Sequence, residues 1–149
     1  MTFPPMLLSI GLLLGGCQNW WTARQEPLPS DPTTPVGTAL LFKKLLDSGS
    51  TADATCLLAA SRGKPLLAEQ RYELLPELER LRSLVGGLPI TYCRTDSSAP
   101  FRSVVWLELD YLYTLRFTLD RRDSLWFITA LEFIPWHRPA VPLFPDPAE

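Results

Sequence analysis

The stretch Ser103-Val-Val-Trp-Leu-Glu-Leu-Asp-Tyr-Leu-Tyr-Thr-Leu-Arg-Phe-Thr-Leu119 decides the fold. Eight of its nine odd positions are apolar or aromatic, against three of the eight even positions from 104 to 118. Successive side chains of a strand point to opposite faces, so a period of two held over these 17 residues marks β-structure with one buried face. The stretch is either one long bent strand or two strands that turn near Asp110 without a change of register. Downstream, Asp120-Arg121-Arg122-Asp123-Ser124 predicts a turn. Leu125–Ile134 follows as a final strand, apolar on both faces except at Thr129 and Glu132. Upstream, Leu88–Tyr92 predicts a modest first strand, broken by Asp96-Ser97-Ser98-Ala99-Pro100.

Before the strands the spacing is helical. Thr34-Pro35 offers a cap followed by a proline at the first helical position. Val36, Ala39, Leu40, Phe42, Leu45 and Leu46 then recur on one side, with Lys43, Lys44 and Asp47 on the remaining face and Gly49 as the stop. Ser50-x-x-Asp53 resembles a capping box and predicts a short second helix through about Ser61, broken by Gly63 and Pro65. A third helix is predicted from about Leu67 to Val85. Leu67, Leu74, Leu75, Leu78, Leu81 and Val85 form its stripe. Its charged side is either a partner surface or a solvated face with i,i+3 pairs such as Glu77–Arg80. Pro76 must kink this helix or start a new one, and Gly86-Gly87 ends it. Helices followed by an antiparallel meander make the class α+β.

Composition bounds the rest. The chain has 149 residues, 46% apolar and 20% charged, enough for one packed domain. Its 14 Lys+Arg against 16 Asp+Glu give a net charge of −2, which argues against a nucleic-acid partner. One histidine, His137, leaves little for a metal centre or a His-centred triad, so neither a metal nor another cofactor is expected. Of 15 prolines, four fall in Pro27–Pro35 and five in the last fifteen residues, which confines regular structure to about Thr34–Ile134.

The N-terminus reads as an address. Met6–Gly16 is an uncharged apolar run, far shorter than the roughly 20 residues a spanning helix needs, and fits the h-region of a secretory signal. Leu14-Gly15-Gly16-Cys17 resembles the lipobox of bacterial lipoproteins, although Met1–Pro5 carries no Lys or Arg. The resemblance implies removal of residues 1–16 and acylation of Cys17, which anchors the chain in a membrane. Stable attachment of this kind takes more than one acyl chain. Gln18 after the cysteine, by resemblance to enterobacterial lipoproteins, points to the outer membrane, facing the periplasm. Trp20 and Trp21 either rest at the headgroups or pack on the domain. Residues 17–33 then form a proline-rich linker, with residues 22–34 reaching about 40 Å at about 3.1 Å per residue. The domain spans 34–134 and a proline-rich tail 135–149. An exported chain matures in an oxidising space, so Cys56 and Cys93 are a candidate disulfide, contributing about 4 kcal/mol by loop closure. The alternative is two separately buried thiols.

The order of elements resembles the cystatin-like cone of the nuclear transport factor two-like superfamily. It is similar in particular to small bacterial lipoproteins of unknown function with that fold. The resemblance is carried by Leu40–Leu46, the short helix around Cys56–Leu58, Val104–Leu109, and Phe117-Thr-Leu-Asp leading to Ser124-Leu-Trp126-Phe-Ile128, without the usual turn glycine. It implies N-terminal helices packed on a curved antiparallel sheet of three to four strands. Related folds often dimerise, so a second copy is a candidate partner.

Such folds can hold an acid or histidine inside the cone, but the core-facing row from 103 to 119 contains neither. Gly-x-Ser-x-Gly, a phosphate-binding glycine loop and clustered metal ligands are missing from the sequence. No catalytic residue is assigned, and Glu132 is the one acid kept as a pocket candidate. Trp106, Tyr111, Tyr113 and Trp126 either line a pocket or partner surface or pack in the core. Val141, Leu143 and Phe144 in the tail gain nothing unless they dock on this domain or on a partner. The expectation is a lipid-anchored envelope protein with a non-catalytic binding or assembly domain. A carrier of a small apolar ligand is the alternative, and an enzyme the weakest reading.

Overall fold

The computed structural model describes residues 30–136. Cys17, Trp20, Trp21, His137 and the apolar tail residues lie outside them. The described part is α+β: three helices, a four-stranded antiparallel sheet and a two-stranded one.

Helix α1 (Pro35–Ser48) forms as its punctuation requires. Thr34 Oγ1 accepts the Gly37 N–H at 2.9 Å, Pro35 fills the first turn, and Gly49 closes the end at φ 80°. Phe42 and Leu46 are fully buried. Lys43 departs from the expected solvated face. Its side chain is 2% exposed, and it pairs with Asp47, whose carboxylate also accepts the Gly87 N–H at 2.8 Å. The pairing spares the ammonium the cost of an isolated buried charge.

Helix α2 (Thr51–Thr55) is shorter than the sequence predicts, and Ser50 makes no side-chain cap. The reason is tertiary. The Ile128 N–H donates to the Leu57 carbonyl at 2.8 Å and Leu58 forms a parallel bridge with Ile128, so a sheet edge captures the chain before a longer helix can form. A small hairpin follows, β1 (Ala59–Ala60) and β2 (Lys64–Pro65), joined by a 3-10 turn over Ser61–Gly63. Arg62 (φ 60°) and Gly63 (φ 69°) both take left-handed conformations there.

Helix α3 (Ala68–Val85) runs through Pro76 as one element. Its solvated Glu77–Arg80 pair stands at 3.8 Å. Of its apolar stripe only Leu78 and Val85 are buried, Leu74, Leu75 and Leu81 are half-covered, and Leu67 is 68% exposed.

The meander runs β3 (Ile90–Ala99), β4 (Arg102–Leu109), β5 (Tyr113–Arg122) and β6 (Leu125–Pro135), in that spatial order. Strand β3 continues through the segment expected to break it. The partner β4 supplies a ladder as far as the Ala99–Arg102 pair, and Ser103 Oγ donates to the Asp96 carbonyl at 3.2 Å. The stretch from 103 to 119 is two strands. Its loop, Asp110-Tyr111-Leu112, has an odd number of residues, so Leu109 faces Tyr113 and the odd row keeps one face across the turn. Val105, Leu107, Leu109, Leu115, Phe117 and Leu119 are all fully buried. Phe117 meets Phe42 edge to face, centroids 5.7 Å apart.

Strand β6 explains its own two-sided pattern. The turn at Asp123-Ser124 has two residues, so the even positions Trp126 and Ile128 face the core. Thr129 is then a bulge: Leu119 pairs with Ile128 and Thr118 with Ala130. Beyond it the odd positions Leu131 and Phe133 pack against the core and Ala130, Glu132 and Ile134 turn outward.

The fold also takes in residues at its margins. Trp126 N–H donates to the Pro32 carbonyl, and Trp136 N–H to that of Leu112, each at 2.8 Å. The expected Cys56–Cys93 bridge is not formed, and both thiols are free. Cys56 ends α2 on the exposed helical side, with Arg71 Nη1 3.4 Å from its sulfur, whereas Cys93 on β3 packs against the core.

Candidate functional site

The half-covered stripe of α3 has a counterpart across a gap. Helix α3 packs chiefly on α2 and α1 rather than on the sheet, which leaves space between it and the far half of β6. Leu74, Leu78 and Leu81, spaced four and three residues apart on one helical face, look across at Leu131 and Phe133, which the Thr129 bulge has turned inward. Leu58 and Leu66, flanking the small hairpin, close one side. The cleft encloses about 380 Å³, and Glu77 and Thr129 are its polar members. A cavity of this size lined by leucine and phenylalanine can bury the apolar part of a ligand. At about 25 cal/mol per Å² that burial is its main source of affinity.

The residues singled out from the sequence do not converge on this cleft. Trp126 is 9% exposed and belongs to the core. Trp106 lies on the outer face of the sheet, its ring 4.5 Å from the Arg94 guanidinium carbon and 6.0 Å from that of Arg116. Tyr111 leaves the odd row altogether. It occupies the β4–β5 loop at φ 58°, 69% exposed. Glu132 points outward and pairs with Arg116 at 2.9 Å, so the cleft does not hold it. Tyr113 comes nearest, stacked on the cleft residue Phe133 with centroids 5.3 Å apart. The α3 leucines, read from sequence as core, are the lining. Their signal was the length of the stripe, more apolar residues than one short sheet contact can cover.

A second group went unnoticed because Asp120 reads as a turn residue. It is buried, and its carboxylate accepts from Arg102 Nε at 2.7 Å, Arg102 Nη2 at 3.0 Å and the Arg62 N–H at 2.9 Å. The Arg102 hydrogen bonds hold its carboxyl below the ordinary aspartate range, with the Arg62 amide helping and burial opposing. Burial pushes the Cys93 thiol up. Among the described residues no group of three or more His, Cys, Asp or Glu is placed to hold a metal ion, and no helix is long and apolar enough to cross a membrane. No protein-family model and no curated protein sequence matches the chain.

Proposed function

We propose that the chain is a lipid-anchored protein of the bacterial cell envelope, acylated at Cys17, whose domain is non-catalytic and binds a small apolar molecule between α3 and β6. The cleft carries this reading. It offers leucine and phenylalanine side chains on three walls and few polar groups, the composition of a site that holds rather than transforms. Three helices followed by a four-stranded meander with a bulged last strand support the cystatin-like cone as its fold. The lipobox resemblance supports the anchor, and Gln18, by resemblance to enterobacterial lipoproteins, supports the outer membrane.

Native mass spectrometry of the chain purified from envelopes in neutral detergent tests the cleft. The expected result is a co-purifying apolar molecule that is lost on Leu81→Ser/Leu131→Ser; its absence from the unaltered protein would end the carrier reading. Metabolic labelling with a fatty-acid analogue tests the anchor, and label surviving Cys17→Ser would refute it. A protein partner is the second reading, favoured by the outer face of the sheet, where Tyr92 is 57% exposed beside the Arg-flanked Trp106. Its mark is a crosslinked protein in place of a small molecule.

A further inference from the structure

We propose that residues 137–149 fold back as a polyproline II segment over the outer face of the sheet, with Val141 against Ile134, Phe144 against Trp106 and Asp146 beside Arg94. The inference concerns the face that the helices leave open. Neither the α3–β6 cleft nor the acylation of Cys17 bears on it.

Strand register lays this face out in rows. Tyr92, Glu108, Thr114 and Ile134 stand side by side across β3 to β6, and Arg94, Trp106, Arg116 and Glu132 form the next row. Phe42 of α1 packs on Phe117 of the opposite face, whereas Tyr92, Leu112, Ile134 and Trp136 are exposed. The Trp136 N–H donates to the Leu112 carbonyl at 2.8 Å, so the chain leaves the described residues at the β6 border of this face. Arg116 is paired with Glu132, but Arg94, held over the Trp106 ring, makes no ion pair among the described residues.

The sequence beyond Trp136 suits that surface. Pro139-Ala-Val-Pro142-Leu-Phe-Pro145 carries a proline at every third position, the period of a polyproline II helix. The prolines therefore share one ridge, and Ala140 with Leu143 and Val141 with Phe144 form the other two. Lacking N–H donors, such a segment is poorly made for a sheet edge but well made for a sheet face, where side chains supply the contacts. The spacings agree as well. Three polyproline residues advance about 9 Å and two strand-to-strand steps measure about 10 Å, so Val141 over β6 brings Phe144 to Trp106 on β4. Two residues more advance about 6 Å, close to the single step of about 5 Å that brings Asp146 to Arg94 on β3. His137, Arg138 and Pro139 are left to make the reversal. A tethered segment is present at a high effective concentration, so modest contacts suffice to seat it.

The test compares the isotope-labelled full chain, in neutral detergent, with the same chain ended after Trp136. Removing residues 137–149 should shift the Trp106 indole N–H and the Tyr92 and Arg94 amides while leaving the Phe42 region unchanged. Leu143→Ser/Phe144→Ser in the full chain should reproduce those shifts. A synthetic peptide of residues 137–149 should restore the original signals of the shortened chain saturably, and the same two substitutions in the peptide should weaken it about ten-fold or more. Trp106 and Tyr92 signals indifferent to the removal, or changes confined to α3 and Leu131–Phe133, would overturn the proposal. Shifts in the full chain that vary with its concentration would also overturn it, since they mark a tail seated on a second copy.

Discussion

The cleft under α3 and the cluster around Asp120 share one sheet but differ in what closes them. The cluster is stitched by directional bonds: a bidentate Arg102–Asp120 pair and the Arg62 amide, with backbone contacts from Pro32 and Phe101 nearby. The two facing walls of the cleft, α3 and the far half of β6, share no hydrogen bond among the described residues and meet only through apolar side chains. Directional bonds fix one geometry, whereas apolar surfaces in partial contact leave room for something else to complete them. The polar end therefore has its geometry set by its own bonds, whereas the apolar end keeps leucine surface that its own neighbours leave half-covered.

The largest test removes what both regions share. Phe117→Ala hollows the layer between Phe42 and the sheet and should cost about 3–5 kcal/mol in chemical denaturation, loosening the cleft and the Asp120 cluster together. Asp120→Ala acts on one end alone. Arg102 is half exposed and recovers water, but the Arg62 amide is orphaned, so the expected loss is about 2 kcal/mol. Hydrogen exchange should quicken over residues 59–65 and stay unchanged along α3. The same residue sets an acid limit. Because its folded pKa is lowered, its contribution is complete above the unfolded aspartate value of about 3.9 and disappears as pH falls through the folded value. Asp120→Asn and the unaltered protein should therefore converge in stability at low pH.

Gly63→Ala sharpens the contrast at smaller cost. At φ 69°, with the Arg122 Cβ only 3.1 Å from where a new methyl would stand, about 1 kcal/mol should be lost in thermal melts. Leu131→Ser lies in the half-covered cleft and should change stability less than that, yet abolish apolar-ligand retention in native mass spectra. Smallest of all is a difference in rate: a thiol reagent should modify exposed Cys56 quickly and Cys93 slowly, since burial keeps the latter protonated.

Where a periodicity was long and local, it could be read directly. The odd row from Val105 to Leu119 and the caps of α1 needed only side-chain alternation and two punctuating residues. What could not be read depended on partners distant in the chain. The end of α2 is decided by Ile128, the persistence of β3 by β4, and the buried Lys43–Asp47 pair is held in place by the Gly87 amide. The aromatic residues drew attention by type, but pairing register sent Trp106 outward and Trp126 inward. The cleft was legible only as an excess of leucine on α3. Asp120 was hidden because charged residues at a strand end look alike whether solvated or buried.

One extra residue in β6 sets the parity of everything after it. Because the bulge absorbs Thr129, Thr118 pairs with Ala130 and Phe117 with Leu131, and deleting Thr129 would leave each later partner and face as it is. Were the extra residue instead paired in regular alternation, Ala130, Glu132 and Ile134 would lie beneath the sheet while Leu131 and Phe133 met water. Substitutions along this strand alter a wall of the cleft, whereas loss of the bulge with Thr129 retained would place a charge where the wall had been.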